Sequence, residues 1–270
     1  MSPIYTPGKV VLAKVSQSLD VDAQAYVNAV EVADGQRIED PVRFAINNFV
    51  IGCKADGIWT AIKASCILAG ARTLTGALVP LVKQPADSAP ARFGTEGGWN
   101  YNRKTGLQAN GTDNYINSGR NNNADPQNNN HNAAYINTVP TSGATIMGAG
   151  VVTTGATSLL TGATRNRNTT AQNYSSITTG GFVGASRALS TAYANRANGT
   201  TLSVTQASET PANGNMLIFA RNGLGTDIPL GPTLYANPRL AFYSIGESLD
   251  LQKLDARVTD LINAFGVAIP

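Results

Sequence analysis

The sequence of 270 residues has little charge, one histidine and only two cysteines. Asp, Glu, Lys and Arg make up 14% of the chain, about half of the usual share in globular domains. Uncharged polar side chains must therefore cover much of the surface, which suits a particle component or an extracellular module. The net charge of +3 is too small to indicate nucleic-acid binding.

The sequence also lacks the patterns that most enzymes and metal proteins carry. The single histidine, His131, excludes zinc sites built from two or three histidines. There is no G-x-S-x-G motif, no Walker loop and no EF-hand loop. Glycosidases need two carboxylates that face each other across the sugar bond, and the glutamates of this chain are widely separated. We therefore expect a non-enzymatic protein with no cofactor and no metal ion.

No apolar run approaches the roughly 18 residues of a membrane span. The apolar run between Lys9 and Lys14 is shorter than the core of a signal peptide. We therefore expect no membrane insertion, and synthesis and folding in the cytosol. Cys53 and Cys66 fit this expectation as buried free thiols on the apolar faces of predicted helices, because disulfides are rare in that compartment.

The first 84 residues divide into two predicted parts. Residues 1–20 lack helical periodicity and contain two prolines, which predicts an extended N-terminal arm. We expect the arm to serve assembly through its apolar residues Val10, Val11 and Leu12. Residues 21–84 predict a small helical anchoring segment of three helices. The apolar faces are formed by Ala23, Tyr26, Val27 and Val30 in the first helix, by Val42, Ile46, Phe49, Val50 and Cys53 in the second, and by Ile58, Trp59, Ile62 and Cys66 in the third.

Residues 85–270 are the predicted sandwich domain with its C-terminal helix, and from Ala91 onward the period changes to two, which indicates strands. Asn198-Gly199 is the strongest hairpin signal, since both central residues of a type I′ turn need a positive φ. Strands at this spacing favour a sandwich or jelly roll over βαβ units. The predicted strands are 98–102, 114–117, 132–138, 143–148, 156–160, 181–187, 191–197, 200–206, 215–221 and 239–245.

The chain ends with one short strand and one amphipathic helix that starts at the capping residue Asp250. This helix places Leu251, Leu254, Val258, Leu261, Ile262 and Phe265 on one face. A β-rich body closed in this way resembles a laminin-G/concanavalin-like jelly-roll sandwich. We therefore expect a mainly β fold with a helical N-terminal segment and a closing C-terminal helix.

Two runs of asparagine bracket Asp125-Pro126 and predict a polar loop. Because amides pair well with sugar hydroxyls, this loop is our candidate for contact with a glycan or receptor. The alternative is an ordinary exposed loop. The candidate residues are Asn121, Asn122, Asn123, Asn128, Asn129 and Asn130.

Two further features leave alternatives open. Between Gly97 and Ser208 basic residues outnumber acidic ones, so this part could attract an anionic glycan or an acidic protein surface; the alternative is scattered solubilising charge. Trp99 could be a stacking platform for a sugar or a core residue.

Two sets of segments together resemble a known group of proteins. One set is residues 22–35 followed by residues 44–59 and 62–64, and the other is residues 101–112 with residues 239–265. In this order they are similar to tailed-bacteriophage virion proteins described as tail, fibre or minor structural components. The resemblance covers about residues 21–265. It implies a small helical segment joined to a laminin-G/concanavalin-like domain, and it carries over no catalytic or sugar-contacting residue.

From this resemblance we expect a virion structural protein, made in the host cytoplasm, that is tail- or fibre-associated and adsorbs to a host surface glycan. Its partners would be other virion proteins and further copies of itself, as a trimer by analogy with phage appendages. One alternative is a head decoration or head-fibre protein that stabilises the capsid. Another is a free carbohydrate-binding lectin.

Overall fold

The computed structural model describes residues 18–150, 155–174, 177–224 and 230–270. These residues form two stacked β-sheets, and helices cover the outer side of one of them. The fold is thus a mainly β, two-sheet sandwich with N-terminal helices and a closing C-terminal helix, as the sequence predicts. In the described ranges no helix is long and apolar enough to cross a membrane.

Four helices are numbered along the chain: α1 (Val21–Asp34), α2 (Asp40–Ala55), α3 (Leu74–Ala77) and α4 (Leu251–Ala268). The side chain of Asp20 accepts a hydrogen bond from the backbone N–H of Asp22, and Asp250 caps α4 in the same way. Pro41 occupies the first turn of α2, where no backbone donor is needed. The sequence therefore sets the start of each long helix.

The sheet beneath the helices has the strand order β14-β13-β12-β7-β18-β1-β2, with β5 and β4 joined to β18. We call it sheet A. Its strands are β1 (Ile62–Ile67), β2 (Pro80–Lys83), β4 (Asn100–Asn102), β5 (Gly106–Gln108), β7 (Asn130–Thr138), β12 (Gly181–Arg187), β13 (Ala192–Ala197), β14 (Thr200–Thr205) and β18 (Arg239–Gly246).

The second sheet, sheet B, has the order β11-β10-β9-β8-β15-β6-β3, with β16 paired to β8 and β17 paired to β16. Its strands are β3 (Ala91–Phe93), β6 (Tyr115–Asn121), β8 (Thr145–Ala149), β9 (Thr157–Leu160), β10 (Ala163–Asn166), β11 (Gln172–Asn173), β15 (Asn215–Ile218), β16 (Arg221–Gly223) and β17 (Gly231–Thr233).

Two apolar layers hold the sandwich together. Between the sheets, Leu240 and Tyr243 of sheet A share one cluster with Ile116 and Ile218 of sheet B. On the other side of sheet A, a second cluster joins the helices to the sheet, where the rings of Phe49 and Phe242 lie 5.7 Å apart. Because sheet A is covered on both faces, its central strands are apolar at consecutive positions.

The third predicted helix, with Ile58, Trp59, Ile62 and Cys66 on one face, is wrong. Residues 62–67 form strand β1, which lies between β18 and β2. The four-residue spacing of Ile58, Ile62 and Cys66 fits one face of a helix and also alternate positions of a strand, so it does not separate the two. Cys53 and Cys66 are both buried free thiols, and burial raises the pKa of each to about 12.

Each of the ten predicted strand ranges contains a strand. Asn198 and Gly199 form the predicted hairpin turn between β13 and β14, with φ values of 51° and 73°. The apolar arm residues Val10, Val11 and Leu12 lie outside the described residues. The end of the arm is in contact with the helices, because Leu19 packs on their core and the backbone N–H of Asp20 donates to Asn47 Oδ1 at 2.7 Å. The anchoring role of residues 21–84 stays a prediction.

Candidate functional site

The asparagine-rich segment that joins β6 to β7 is held in place largely by hydrogen bonds of its own side-chain amides. Asn122 and Asn130 are buried, at 3% and 4% exposure. The Asn122 amide donates to the carbonyl oxygens of Gly155 and Ala212, both at 3.3 Å. Asn129 Oδ1 accepts from the backbone N–H and the hydroxyl of Ser248 at 2.8 and 2.6 Å. These amides fix the segment to distant parts of the chain.

The remaining asparagines of the segment are nearer to solvent. Asn123 is exposed, and Asn121 and Asn128 are half-buried. Asn128 Oδ1 accepts from the Ser208 hydroxyl at 2.5 Å, and Asn121 Nδ2 donates to Asn213 Oδ1 at 2.8 Å. Asn121, Asn123 and Asn128 are thus the asparagines of the segment that contribute to its surface. A receptor contact in this segment stays a prediction.

Burial and ion pairing account for most of the locally basic composition. Arg120, Arg167 and Arg187 are 5%, 1% and 0% exposed. Arg120 forms ion pairs with Asp87 at 2.8 Å and Asp125 at 2.6 Å. The guanidinium of Arg187 donates to backbone carbonyls, including that of Asn166 at 3.0 Å. Among the other basic residues, Arg103 pairs with Glu39 and Arg196 pairs with Asp255. The composition therefore does not produce a broad cationic surface.

His131 lies at the start of β7 and is buried at 1% exposure. Its Nδ1 is 2.5 Å from the carbonyl oxygen of Glu247, and its Nε2 is 2.7 Å from Ser244 Oγ. A carbonyl only accepts, so Nδ1 carries the proton and Nε2 accepts from the hydroxyl. Burial lowers the pKa of His131 to about 4. The imidazole is therefore a neutral, structural group at pH 7.

We expect this histidine to make the protein less stable in mild acid. An unfolded histidine titrates near pH 6.5, so between that pH and about 4 the unfolded chain binds a proton that the folded chain does not. The free energy of unfolding of the intact chain should fall by about 2 kcal/mol between pH 7 and pH 5. Urea unfolding of the intact chain and of His131→Gln at both pH values measures this. An equal loss in both proteins would contradict the assignment.

Three aromatic side chains form a group on the surface of sheet B. Phe93 in β3 pairs directly with Tyr115 in β6, and their rings are stacked at 5.0 Å with an interplanar angle of 12°. Tyr235, which follows β17, lies 6.3 Å from Tyr115. Phe93 is 44% exposed and the two tyrosines are half-buried. We call these three residues the aromatic platform.

Local turns hold the platform in place. The amide of Asn114 donates to the carbonyl oxygens of Phe93 and Thr95, and Asp113 Oδ2 accepts from Thr95 N and Oγ1 at 2.9 and 2.7 Å. The carbonyl of Tyr235 lies so close to Gly143, at φ 69°, that a Cβ there would be 2.0 Å away. Only glycine fits at that position.

The outward-facing side of β6, which carries Tyr115 of the platform, also carries amide side chains. Ile116 points into the core, so Tyr115 and Asn117 point outward. Asn117 Oδ1 accepts from Asn215 Nδ2 at 3.1 Å and from the backbone N–H of Gly119 at 3.0 Å, and Asn121 lies at the end of the same strand. Both acceptor lone pairs of Asn117 are therefore used, and its Nδ2 group is the part of this amide that can donate to a ligand.

This surface presents neutral aromatic rings and amide groups to solvent. Burial raises the pKa of Tyr115 and of Tyr235, so both hydroxyls stay protonated at neutral pH. In the described part of the chain, no three His, Cys, Asp or Glu side chains are grouped so that they could hold a metal ion. Ring faces beside amides can contact a molecule that has apolar CH surface and hydroxyl groups.

No sequence pattern singled out the platform residues. Trp99, the candidate stacking residue, instead packs against the core between the sheets and lies edge-on to Phe219 at 5.8 Å. Phe93, Tyr115 and Tyr235 come from separate parts of the chain. One available signal was the alternation in β6, where an inward Ile116 requires an outward Tyr115.

In comparisons with known proteins, no protein family and no curated protein matches this sequence. One similar solved structure is domain 4 of AbnA, a GH43 extracellular arabinanase from Geobacillus stearothermophilus, in complex with arabinotriose. It is 13% identical, with a TM-score of 0.44, over 73% of this chain and 97% of that chain. Another is a point mutant of HCR/D, a botulinum toxin receptor-binding domain, at 11% identity and a TM-score of 0.45, over 73% of this chain and 51% of that chain. Both TM-scores are below 0.5, so no property of either protein is transferred to this chain.

Proposed function

We propose that this chain is a non-enzymatic recognition protein whose sandwich binds a surface glycan through the aromatic platform. The observation that carries the proposal is the exposed stack of Phe93 on Tyr115, with Tyr235 beside it. Exposed apolar groups of this kind mark interaction sites. A sugar ring can lay its apolar face on an aromatic ring while its hydroxyls bond to the neighbouring amides.

The virion role belongs to the same proposal and is supported by the sequence resemblance to tailed-phage structural proteins. In this role the protein is tail- or fibre-associated, and the sandwich contacts the host surface. Cryo-EM of the whole particle separates the alternatives. Density for this protein on the capsid shell and none at the tail would mean that it is a head decoration protein and that the tail role is wrong. Absence from the particle, with glycan binding by the free protein, would favour a lectin.

We expect Phe93→Ala and Tyr115→Ala each to weaken glycan binding by about tenfold, since an aromatic contact and its buried area contribute roughly 1.5 kcal/mol. A glycan array identifies the ligand, and titration of the purified protein measures the affinity. The control is Val32→Ala, which removes a side chain that is 83% exposed on α1, far from sheet B.

The asparagine-rich segment provides a second variant for the same experiment. Replacement of Asn123 and Asn128 by serine leaves the buried Asn122 and Asn130 in place. If this variant loses binding while the platform variants keep it, the contact lies in the segment and the platform is excluded. If the intact protein binds no glycan, the glycan part of the proposal is wrong.

A further inference from the structure

Strand β14 is a long, uncovered edge of sheet A. It pairs with β13 at all six positions, and among the described residues no strand pairs with its other side. In an antiparallel strand about half of the backbone N–H and C=O groups point away from the one partner. Five of its six residues are exposed. These backbone groups form a template for a further strand.

The other edges of the two sheets are protected by being short. β11 has two residues, and β3, β4 and β17 have three each. β2 has four residues, begins with Pro80 and ends with Lys83. Short strands, proline and lysine are the usual means by which proteins block edge-to-edge pairing. β14 contains none of them, so it is the edge at which pairing is available.

Grooves lie on both faces of sheet A beside this edge. The groove on the helix side has a volume of about 300 Å³ and is lined by Ser203, Leu189 and Leu249 among others. The groove on the sheet B side has a volume of about 140 Å³ and is lined by Leu202 and Tyr174 among others. Leu189 and Leu202 are 60% and 49% exposed. A strand added to β14 would place alternate side chains over the two grooves.

The chain contains a segment of suitable chemistry. Lys9-Val-Val-Leu-Ala-Lys14 has four consecutive apolar residues between two lysines. As a strand it would direct Val10 and Leu12 to one face and Val11 and Ala13 to the other. β-Branched side chains favour strands, and small to medium apolar side chains fit grooves of these volumes.

The distance between β14 and the start of α1 indicates which copy supplies the segment. The Asp22 carboxylate accepts from Trp59 Nε1 at 3.2 Å, so α1 starts close to the beginning of β1. A strand added beyond β14 would lie six strand positions from β1, which is about 29 Å at the usual strand spacing. The six residue steps from Lys14 to Asp20 span at most about 22 Å. The segment of the same chain would therefore fall short of lying along β14.

We propose that residues 9–14 of a second copy of this chain add to β14 as an edge strand. Main-chain hydrogen bonds would supply the affinity, and the two grooves would select the apolar side chains. Each copy offers one arm and one edge, so the contact forms a reciprocal dimer, a closed ring or an open chain of copies. This inference concerns contact between copies and does not depend on the aromatic platform.

Disulfide trapping between full-length chains tests the proposal. One chain carries Ser203→Cys, and the other carries a cysteine at Val10, Val11 or Leu12 in turn. Cys53 and Cys66 are buried and do not interfere. We expect disulfide-linked mixed dimers whose yield alternates along the arm. The yield with a cysteine at Val11 should differ strongly from the yields at Val10 and Leu12, because neighbouring residues of a strand face opposite sides. The control partner chain carries Val32→Cys on α1.

Equal trapping at all three arm positions, or equal trapping by the Val32→Cys chain, would overturn the proposal. The proposal would also be overturned if a chain that carries both Val11→Cys and Ser203→Cys formed the disulfide only within one chain and never between two chains. A second measurement compares the masses of the intact chain and of the Ser203→Pro variant by analytical ultracentrifugation. The proline removes one backbone N–H donor from the β14 edge. Sedimentation of the intact chain as a monomer at high micromolar concentration would also overturn it.

Discussion

Replacement of Arg120 by methionine is expected to lower the free energy of unfolding by about 3–5 kcal/mol. Arg120 is 5% exposed and holds the carboxylates of Asp87 and Asp125 at 2.8 and 2.6 Å. Methionine fills similar space but leaves two buried carboxylates without a cation. Urea unfolding at pH 7 measures the change.

The matched control is Arg92→Met, which breaks the ion pair between Arg92 and Glu96 at 2.6 Å. Glu96 is exposed, so water screens the charge that remains and the unfolding midpoint should hardly change. Similar losses in the two variants would mean that the Arg120 cluster is solvated and does not tie β6 to the loop before β7.

Leu254→Asp is the second substitution with a large expected effect. Leu254 is fully buried in the middle of α4, within the cluster that joins the helices to sheet A. An unpaired carboxylate there should cost on the order of 4 kcal/mol, a large share of a typical domain's stability. Thermal and urea unfolding measure the loss.

Lys253→Asp is the control on the neighbouring position of the same helix. Lys253 is exposed and donates from Nζ to the carbonyl oxygen of Asp56 at 3.1 Å. Its replacement should cost less than about 1 kcal/mol. Equal effects at the two positions would mean that α4 is not packed on the sheet as described.

Much of the fold follows from local patterns in the sequence. The stripe from Leu251 to Phe265, with Asp250 as its cap, predicts α4 correctly. Asn198-Gly199 predicts the β13–β14 hairpin because both residues must adopt a positive φ. The error at β1 has a physical cause, since apolar residues four positions apart, such as Ile62 and Cys66, fit one helical face and alternate strand positions equally well.

The roles of the polar residues could not be predicted in the same way. Asn122 contacts Gly155 and Ala212, which are distant in the sequence, so its burial follows from the topology. Arg167 and Arg187 are polar by type but are held within the sandwich by backbone carbonyls. Composition counts such residues as surface charge, whereas the fold removes them from the surface.

The position of β18 has a consequence for how this chain folds during synthesis. β18 lies between β7 and β1 in the middle of sheet A, although it is the last strand along the chain. Until residues 239–246 leave the ribosome, β7 and β1 have no partner on their facing sides. Pairings over such long sequence separations are slow to form, and unpaired strands are prone to aggregate. Chains truncated before Arg239 should therefore accumulate as insoluble protein even though they contain most of the sandwich.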